Sequence, residues 1–147
     1  MRLEGSCHCR ALCYCSICRK VGGSGGFGIN IGGDAGSMQV QGEEHLATYH
    51  AKMRADTGEV TESVAERRFC RECGSHLWLY DPRWPDLIHP YASAIDSPLP
   101  TPPERTHLLL NFKPAWVKAS VGPTDKSFQG YPEESLADWH KRTGVGQ

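Results

Sequence analysis

Hydrophobic and polar residues alternate over short runs of this chain, and glycine or proline interrupts most of these runs. The 16 glycines and 10 prolines mark turns and exclude long helices over most of the chain. The predicted strands lie at residues 27–31, 37–41, 46–50, 64–69, 76–80, 87–95 and 107–112. Many short strands separated by turn signals predict a mainly β protein, an antiparallel sandwich or barrel.

One segment near the C-terminus has helical periodicity instead. Leu136, Trp139 and His140 share one face at i, i+3, i+4 spacing. Pro132, followed by two glutamates, favours a helix start, and Gly144 is typical of a helix end. We therefore predict a short C-terminal helix after the strands.

The length of 147 residues favours a single domain, spanning residues 1–147, that can bury a core of ordinary size. A formal net charge of −1 argues against nucleic-acid and anionic-membrane partners. No run approaches the roughly 20 apolar residues of a membrane span, and the first residues lack the apolar core of a secretory signal. We expect a cytoplasmic protein, whose oligomeric state the sequence does not indicate.

The seven cysteines form three clusters, and their odd number excludes complete disulfide pairing within one chain. They are Cys7 and Cys9 in a C-x-C pair, Cys13, Cys15 and Cys18 in a C-x-C-x-x-C cluster, and Cys70 and Cys73 in a C-x-x-C pair. In a reducing compartment, clustered cysteines predict metal ligands or redox groups. Seven thiolates divide into four, which close a structural zinc site, and three, which leave one coordination position open as in catalytic sites.

Spacing alone leaves a second ligand set open. Cys15, Cys18, Cys70 and Cys73 would form an ordinary four-cysteine zinc site, although the 51 residues between the two pairs exceed the usual spacing. That set, or a histidine that closed the second site, would favour a non-enzymatic, zinc-stabilised binding module. An exposed cluster would also be compatible with metal buffering or redox sensing.

Two basic residues, Arg19 and Lys20, directly follow the second cysteine cluster. A cation at this place would lower the pKa of a neighbouring thiol and attract an anionic substrate. The same two residues are equally compatible with a solvated surface.

Five segments of the chain resemble one known family. They are residues 5–9, 15–20, 68–75, 113–116 and 128–132, and the first three contain the cysteine motifs that carry the resemblance. The family is that of the glutathione-dependent formaldehyde-activating enzymes, and the similarity extends over most of the chain. It implies an Mss4-like fold of packed antiparallel β-sheets with zinc knuckles and a short C-terminal helix.

The resemblance also implies different roles for the cysteines. A structural zinc would be held by Cys7, Cys9, Cys70 and Cys73, and a catalytic zinc by Cys13, Cys15 and Cys18. The implied reaction is a carbon–sulfur lyase reaction in which the thiolate of glutathione adds to formaldehyde, so the partners would be a small-molecule thiol and an aldehyde. A lyase that acts on a related thiol adduct is equally compatible. Arg19 and Lys20 are candidates for holding a carboxylate of glutathione.

The chain departs from the family pattern at one place. Only residues 10–12 separate Cys9 from Cys13, where the family carries a longer stretch that forms strands. Three residues span at most about 10 Å, which still permits two neighbouring zinc sites.

Overall fold

A computed structural model of the protein describes residues 2–3 and 10–145, with residues 2, 3 and 10 described by their backbone alone. The strands are β1 (Arg2–Leu3), β2 (Arg10–Cys13), β3 (Gly28–Ile31), β4 (Gly33–Asp34), β5 (Met38–Gln39), β6 (Leu46–Arg54), β7 (Val60–Cys70), β8 (His76–Tyr80), β9 (Leu87–Pro90), β10 (Thr106–Leu108) and β11 (Lys126–Ser127). The helices are α1 (Ser16–Gly22) and α2 (Leu136–Thr143), with short 3-10 helices at Ala35–Ser37, Glu43–His45, Ala92–Ala94 and Leu110–Phe112. The predicted mainly β class is confirmed.

Two larger sheets form the fold. The five-stranded sheet has the order β4-β9-β8-β7-β6 and is antiparallel throughout. The four-stranded sheet has the order β11-β10-β2-β3, in which β2 and β3 are antiparallel but β10 runs parallel to both β2 and β11. An isolated bridge between Asn30 and Tyr91 connects the two sheets. Strands β1 and β5 form a separate antiparallel pair.

Most predicted strands are present, with shifted ends. Strand β8 has the predicted bounds, whereas β6 and β7 extend beyond theirs because they form one long hairpin with Gly58 at a φ of 87° in its turn. The strand predicted over residues 107–112 ends after Leu108, since Leu109 adopts a left-handed conformation with a φ of 61°. The strand predicted over residues 87–95 ends at Pro90.

Successive side chains along β2 and at Tyr14, directly after it, point to opposite faces of the sheet. Leu12 and Tyr14 are buried on one side, where they pack with Val117 in a hydrophobic cluster. Ala11 and Cys13, at the alternate positions, line a large cavity instead. Cys13 is nevertheless buried, in a second cluster with Cys18 and Leu109 at the wall of this cavity.

The predicted C-terminal helix is confirmed, but it begins at Leu136 and not at Pro132. Ser135 is its N-cap, because its side chain accepts a hydrogen bond from the backbone N–H of Asp138 at 3.1 Å. Gly144 ends it in a left-handed conformation with a φ of 67°. No helix in the described part of the chain has the length and apolar character needed to cross a membrane.

Candidate functional site

The three cysteines of the C-x-C-x-x-C motif meet where β2 ends and α1 begins. Cys13 is the last residue of β2, Cys15 is the N-cap of α1, and Cys18 lies in the first turn of the helix. Their Sγ atoms all lie within 4.8 Å of one another. The backbone N–H of Cys18 donates a hydrogen bond to the Sγ of Cys15 at 3.3 Å, which fixes the turn that brings the thiols together.

Burial and mutual hydrogen bonds make the three thiols unequal. Cys13 and Cys18 are only 5% and 4% exposed. Hydrogen bonds from the Cys13 and Cys15 thiols lower the pKa of Cys18, and the Tyr91 hydroxyl and the charge of Arg67 act in the same direction. The corresponding hydrogen bonds to Cys15 and Cys18 raise the pKa of Cys13. The arrangement favours one thiolate, at Cys18, that accepts hydrogen bonds from two neighbouring thiols.

The thiol cluster, defined as Cys13, Cys15 and Cys18, has the composition and spacing of a zinc site. A tetrahedral zinc bound to thiolates at about 2.3 Å places the sulfurs about 3.8 Å apart, which the observed separations accommodate. Among residues 2–3 and 10–145, no fourth cysteine, histidine or carboxylate belongs to the group. The cluster can therefore hold a metal ion and leave one position for another ligand.

The thiol cluster opens into a cavity of about 630 Å³, a volume typical of small-molecule sites. The five-stranded sheet contributes Ser63, Ala65 and Arg67, at alternate positions of β7, to its lining. The segment at residues 128–139 contributes aromatic and aliphatic side chains from outside both large sheets. Its lining members are Phe128, Tyr131, Pro132, Glu134, Ser135, Leu136 and Trp139.

Four ionisable side chains on the sheet side give the cavity a polar part. Asp81 accepts hydrogen bonds from the Nε and Nη2 of Arg83 at 2.9 and 2.6 Å, and this pairing lowers the pKa of Asp81. Burial lowers the pKa of His89, which is therefore neutral at neutral pH. Arg67 is 6% exposed, and its Nε and Nη1 have no hydrogen-bond partner among the described residues.

Comparison with known proteins identifies the family. A sequence model described as glutathione-dependent formaldehyde-activating enzyme matches residues 1–109. The chain belongs to this family. A protein of Halomonas elongata, named "Putative glutathione-dependent formaldehyde-activating enzyme", is 50% identical over 159 residues, which cover 99% of this chain and 98% of that protein.

The aligned stretch also shows that the two members of the glutathione-dependent formaldehyde-activating enzyme family differ in length. It is 159 residues long, whereas this chain has 147, so the Halomonas protein contains residues without a counterpart here. That these residues fall between Cys9 and Cys13, where we expect the departure from the family pattern, stays a prediction.

The second predicted metal site is described only in part. Cys70 ends β7, and the chain turns back at Gly74, whose N–H donates to the carbonyl of Cys70 at 2.8 Å and whose φ is 73°. The Sγ of Cys73 donates a hydrogen bond to the Ser75 hydroxyl at 3.1 Å. The other two predicted ligands, Cys7 and Cys9, lie outside the described residues, so the four-cysteine structural site stays a prediction.

The alternative four-cysteine set does not assemble in the structure. Cys15 and Cys18 group with Cys13, and neither Cys70 nor Cys73 belongs to that group. The sequence therefore grouped the three clustered cysteines in the arrangement that the structure shows, while their role as zinc ligands stays a prediction.

The two basic residues that were predicted to hold a carboxylate lie on α1. Arg19 is half-buried and Lys20 is exposed, and neither is among the residues that line the cavity. Their role stays a prediction. Arg67 does line the cavity, but no motif marks it. The sequence indicates its position only indirectly: Arg67 lies two residues after Ala65, so both side chains are expected on the same face of the strand.

Proposed function

We propose that the protein is a zinc-dependent carbon–sulfur lyase that adds glutathione to formaldehyde and forms S-hydroxymethylglutathione. The observation that carries the proposal is the thiol cluster, three cysteines within 4.8 Å of one another that open into a cavity of about 630 Å³. Membership of the glutathione-dependent formaldehyde-activating enzyme family supports the choice of the two substrates.

The residues of the proposed catalytic metal site are Cys13, Cys15 and Cys18. A zinc ion held there would supply Lewis acidity that keeps a neighbouring thiol deprotonated at neutral pH. Leu108 and Leu109, which line the cavity beside the cluster, would exclude bulk water from the sulfur of the substrate.

The proposed reaction forms one carbon–sulfur bond. The thiol of glutathione releases its proton to water, and the sulfur attacks the carbonyl carbon of formaldehyde. The π electrons of the carbonyl move to its oxygen, which takes a proton back from water, so no net proton is gained or lost. The product is a hydroxymethyl thioether, and the reverse sequence releases both substrates. No side-chain nucleophile takes part, so the residues of the cavity contribute by holding the thiol in place for the aldehyde.

A second zinc belongs to the proposal as a structural ion. Its ligands would be Cys70 and Cys73 together with Cys7 and Cys9. The turn at Gly74, which folds the chain back behind the C-x-x-C pair, supports this assignment for the two described ligands. We place the protein in the cytoplasm, because a reducing compartment keeps clustered thiols available for metal binding.

The test combines metal analysis with an exchange measurement. We expect two zinc ions per chain and an accelerated exchange of formaldehyde between free glutathione and its adduct, followed by NMR in the presence and absence of protein. A Cys15→Ser variant is expected to lose one zinc and the acceleration together. Two bound zinc ions without any acceleration would reject this reaction and leave the wider lyase class, whereas a single zinc without acceleration would favour a binding module.

A further inference from the structure

Arg67 places a buried positive charge on the wall of the cavity. The residue is 6% exposed, and its Nε and Nη1 atoms are buried without a hydrogen-bond partner in the described part of the chain. A buried guanidinium without a partner carries a desolvation cost, which an opposite charge beside it would offset. An anionic group that enters the cavity would therefore stabilise this side chain.

The backbone of Arg67 is held firmly by the sheet. In β7 it pairs with Tyr49 of β6 on one side and with Leu79 of β8 on the other. Its alternate neighbours Ser63 and Ala65 line the cavity with it. A guanidinium on a central strand offers its donors from a fixed place, which suits selective recognition.

The neighbouring groups do not supply the missing acceptor. Arg67 and the thiol cluster line the same cavity. Among the described contacts, no hydrogen bond joins the Nε or Nη1 of Arg67 to a sulfur. The carboxylate of Asp81 is already engaged by Arg83. A planar guanidinium pairs well with a carboxylate, and the charge-assisted hydrogen bonds between the two are stronger than neutral ones.

We propose that Arg67 binds a carboxylate of the thiol substrate and makes the site select thiols that carry one. This inference rests on the proposed function, in which glutathione, a thiol with two carboxylates, enters the cavity. Arg67 is then a specificity-determining residue of the sheet wall.

The test measures binding of a probe that cannot react. S-methylglutathione, whose sulfur is blocked, and its diethyl ester, which lacks both carboxylates, are titrated into the zinc-loaded protein by calorimetry. We expect the acid to bind about 10- to 100-fold more tightly than the diester, the range for charge-assisted hydrogen bonds. Arg67→Met is expected to remove this preference, and Arg67→Lys, which keeps the charge but not the planar fork, is expected to retain only part of it.

A matched control separates Arg67 from the general charge of the protein. Arg68, the next residue of β7, donates from its Nη2 to Glu66 at 2.6 Å and does not line the cavity. Arg68→Met is therefore expected to leave the preference for the acid unchanged. Thermal melting and zinc content of every variant distinguish a lost contact from a lost fold, and Arg67→Lys decides the question if Arg67→Met does not fold.

Two results would overturn the inference. One is equal binding of acid and diester to the unaltered protein, and the other is an undiminished preference in the folded variants of Arg67. The proposed function is judged separately by the formaldehyde exchange measurement. If the acid is preferred because of Arg67 but formaldehyde exchange is absent, the proposed reaction is rejected and the carboxylate site is kept. If formaldehyde exchange occurs but the acid is not preferred, the carboxylate site is rejected and the proposed reaction is kept.

Discussion

At the scale of single residues, the thiol cluster depends on how one strand ends and one helix begins. Cys13 follows the cavity-facing alternation of β2, Cys15 caps α1, and Cys18 closes its first turn. Spacing alone left two ligand sets open, and the ligand count together with the family resemblance favoured the grouping that the structure shows. Arg67 could not be predicted, since Arg68 beside it carries the same charge and only the register of β7 decides which one enters the cavity.

Substitution of one clustered cysteine tests the site directly. Cys18→Ser removes a proposed zinc ligand, which is 4% exposed and whose Sγ lies within 4.8 Å of the other two. We expect the loss of one zinc and a fall in exchange rate greater than the about 10- to 100-fold loss seen when only an outer partner of a metal ligand is changed. Zinc analysis and NMR exchange measure the two effects. Ser24→Ala, at an exposed turn after α1, is the control, and an active Cys18→Ser protein with full zinc would contradict the assignment.

A buried carboxylate outside the lining of the cavity is expected to matter for stability. Asp125, with a side chain that is 4% exposed, accepts hydrogen bonds from the Nε and Nη2 of Arg105 at 2.9 and 2.6 Å and from the N–H of Gly122 at 2.7 Å. Asp125→Asn replaces one acceptor oxygen by a donor, so we expect a loss of about 2 kcal/mol in the free energy of unfolding. Urea denaturation measures it. The exposed Asp96→Asn serves as control, and equal effects would show that the pairing contributes nothing.

At the scale of elements, the strands and the C-terminal helix follow local sequence, whereas α1 and the parallel pairings do not. β8 has its predicted bounds because alternation and flanking turns specify it. α1 has seven residues and buries only Cys18, so it has no apolar stripe to detect. β10 is three residues long and pairs in parallel with β2, nearly a hundred positions earlier, which no local pattern encodes.

The N-cap of α2 offers a test of an element that lines the cavity. Ser135 accepts a hydrogen bond from the N–H of Asp138, and Trp139 in the following turn is 3% exposed. Ser135→Ala leaves that N–H without its acceptor, so we expect a loss of about 1 kcal/mol in the free energy of unfolding. Ser135→Asn keeps a capping oxygen and is expected to retain most of the stability. Both values come from denaturation curves, and identical losses in the two variants would argue against capping.

At the scale of the whole molecule, buried ionisable groups make the fold sensitive to acid. Burial lowers the pKa of His107, and the Arg105 guanidinium lowers the pKa of Asp125. Below about pH 6.5 the histidine binds a proton more readily in the unfolded chain than in the folded one. Below about pH 4 the same is true of the carboxylate of Asp125. Both contributions are present at neutral pH and are lost as the pH falls. We expect the melting temperature to fall continuously from pH 7.5 to pH 4, and a constant value over that range would contradict the prediction.

We expect the two proposed metal sites to have different roles, one in folding and one in catalysis. Cys73→Ser should remove the structural zinc and with it much of the binding free energy that a structural ion contributes to folding. Cys15→Ser should remove the other zinc while the fold persists. Melting curves recorded with zinc analysis compare the two variants, and a larger drop in melting temperature for Cys15→Ser would reverse the assignment.

A ribosome releases β2 long before it releases β10, its parallel neighbour, and before residues 128–139, which line the cavity. Contacts between such distant parts of a chain form slowly. Until they form, one edge of β2 has no partner and the thiol cluster faces the surrounding solution, where oxygen and competing metal ions reach it. If the cluster holds zinc as proposed, its loading would therefore depend on the thiol-reducing power and the free zinc of the surroundings during synthesis and folding.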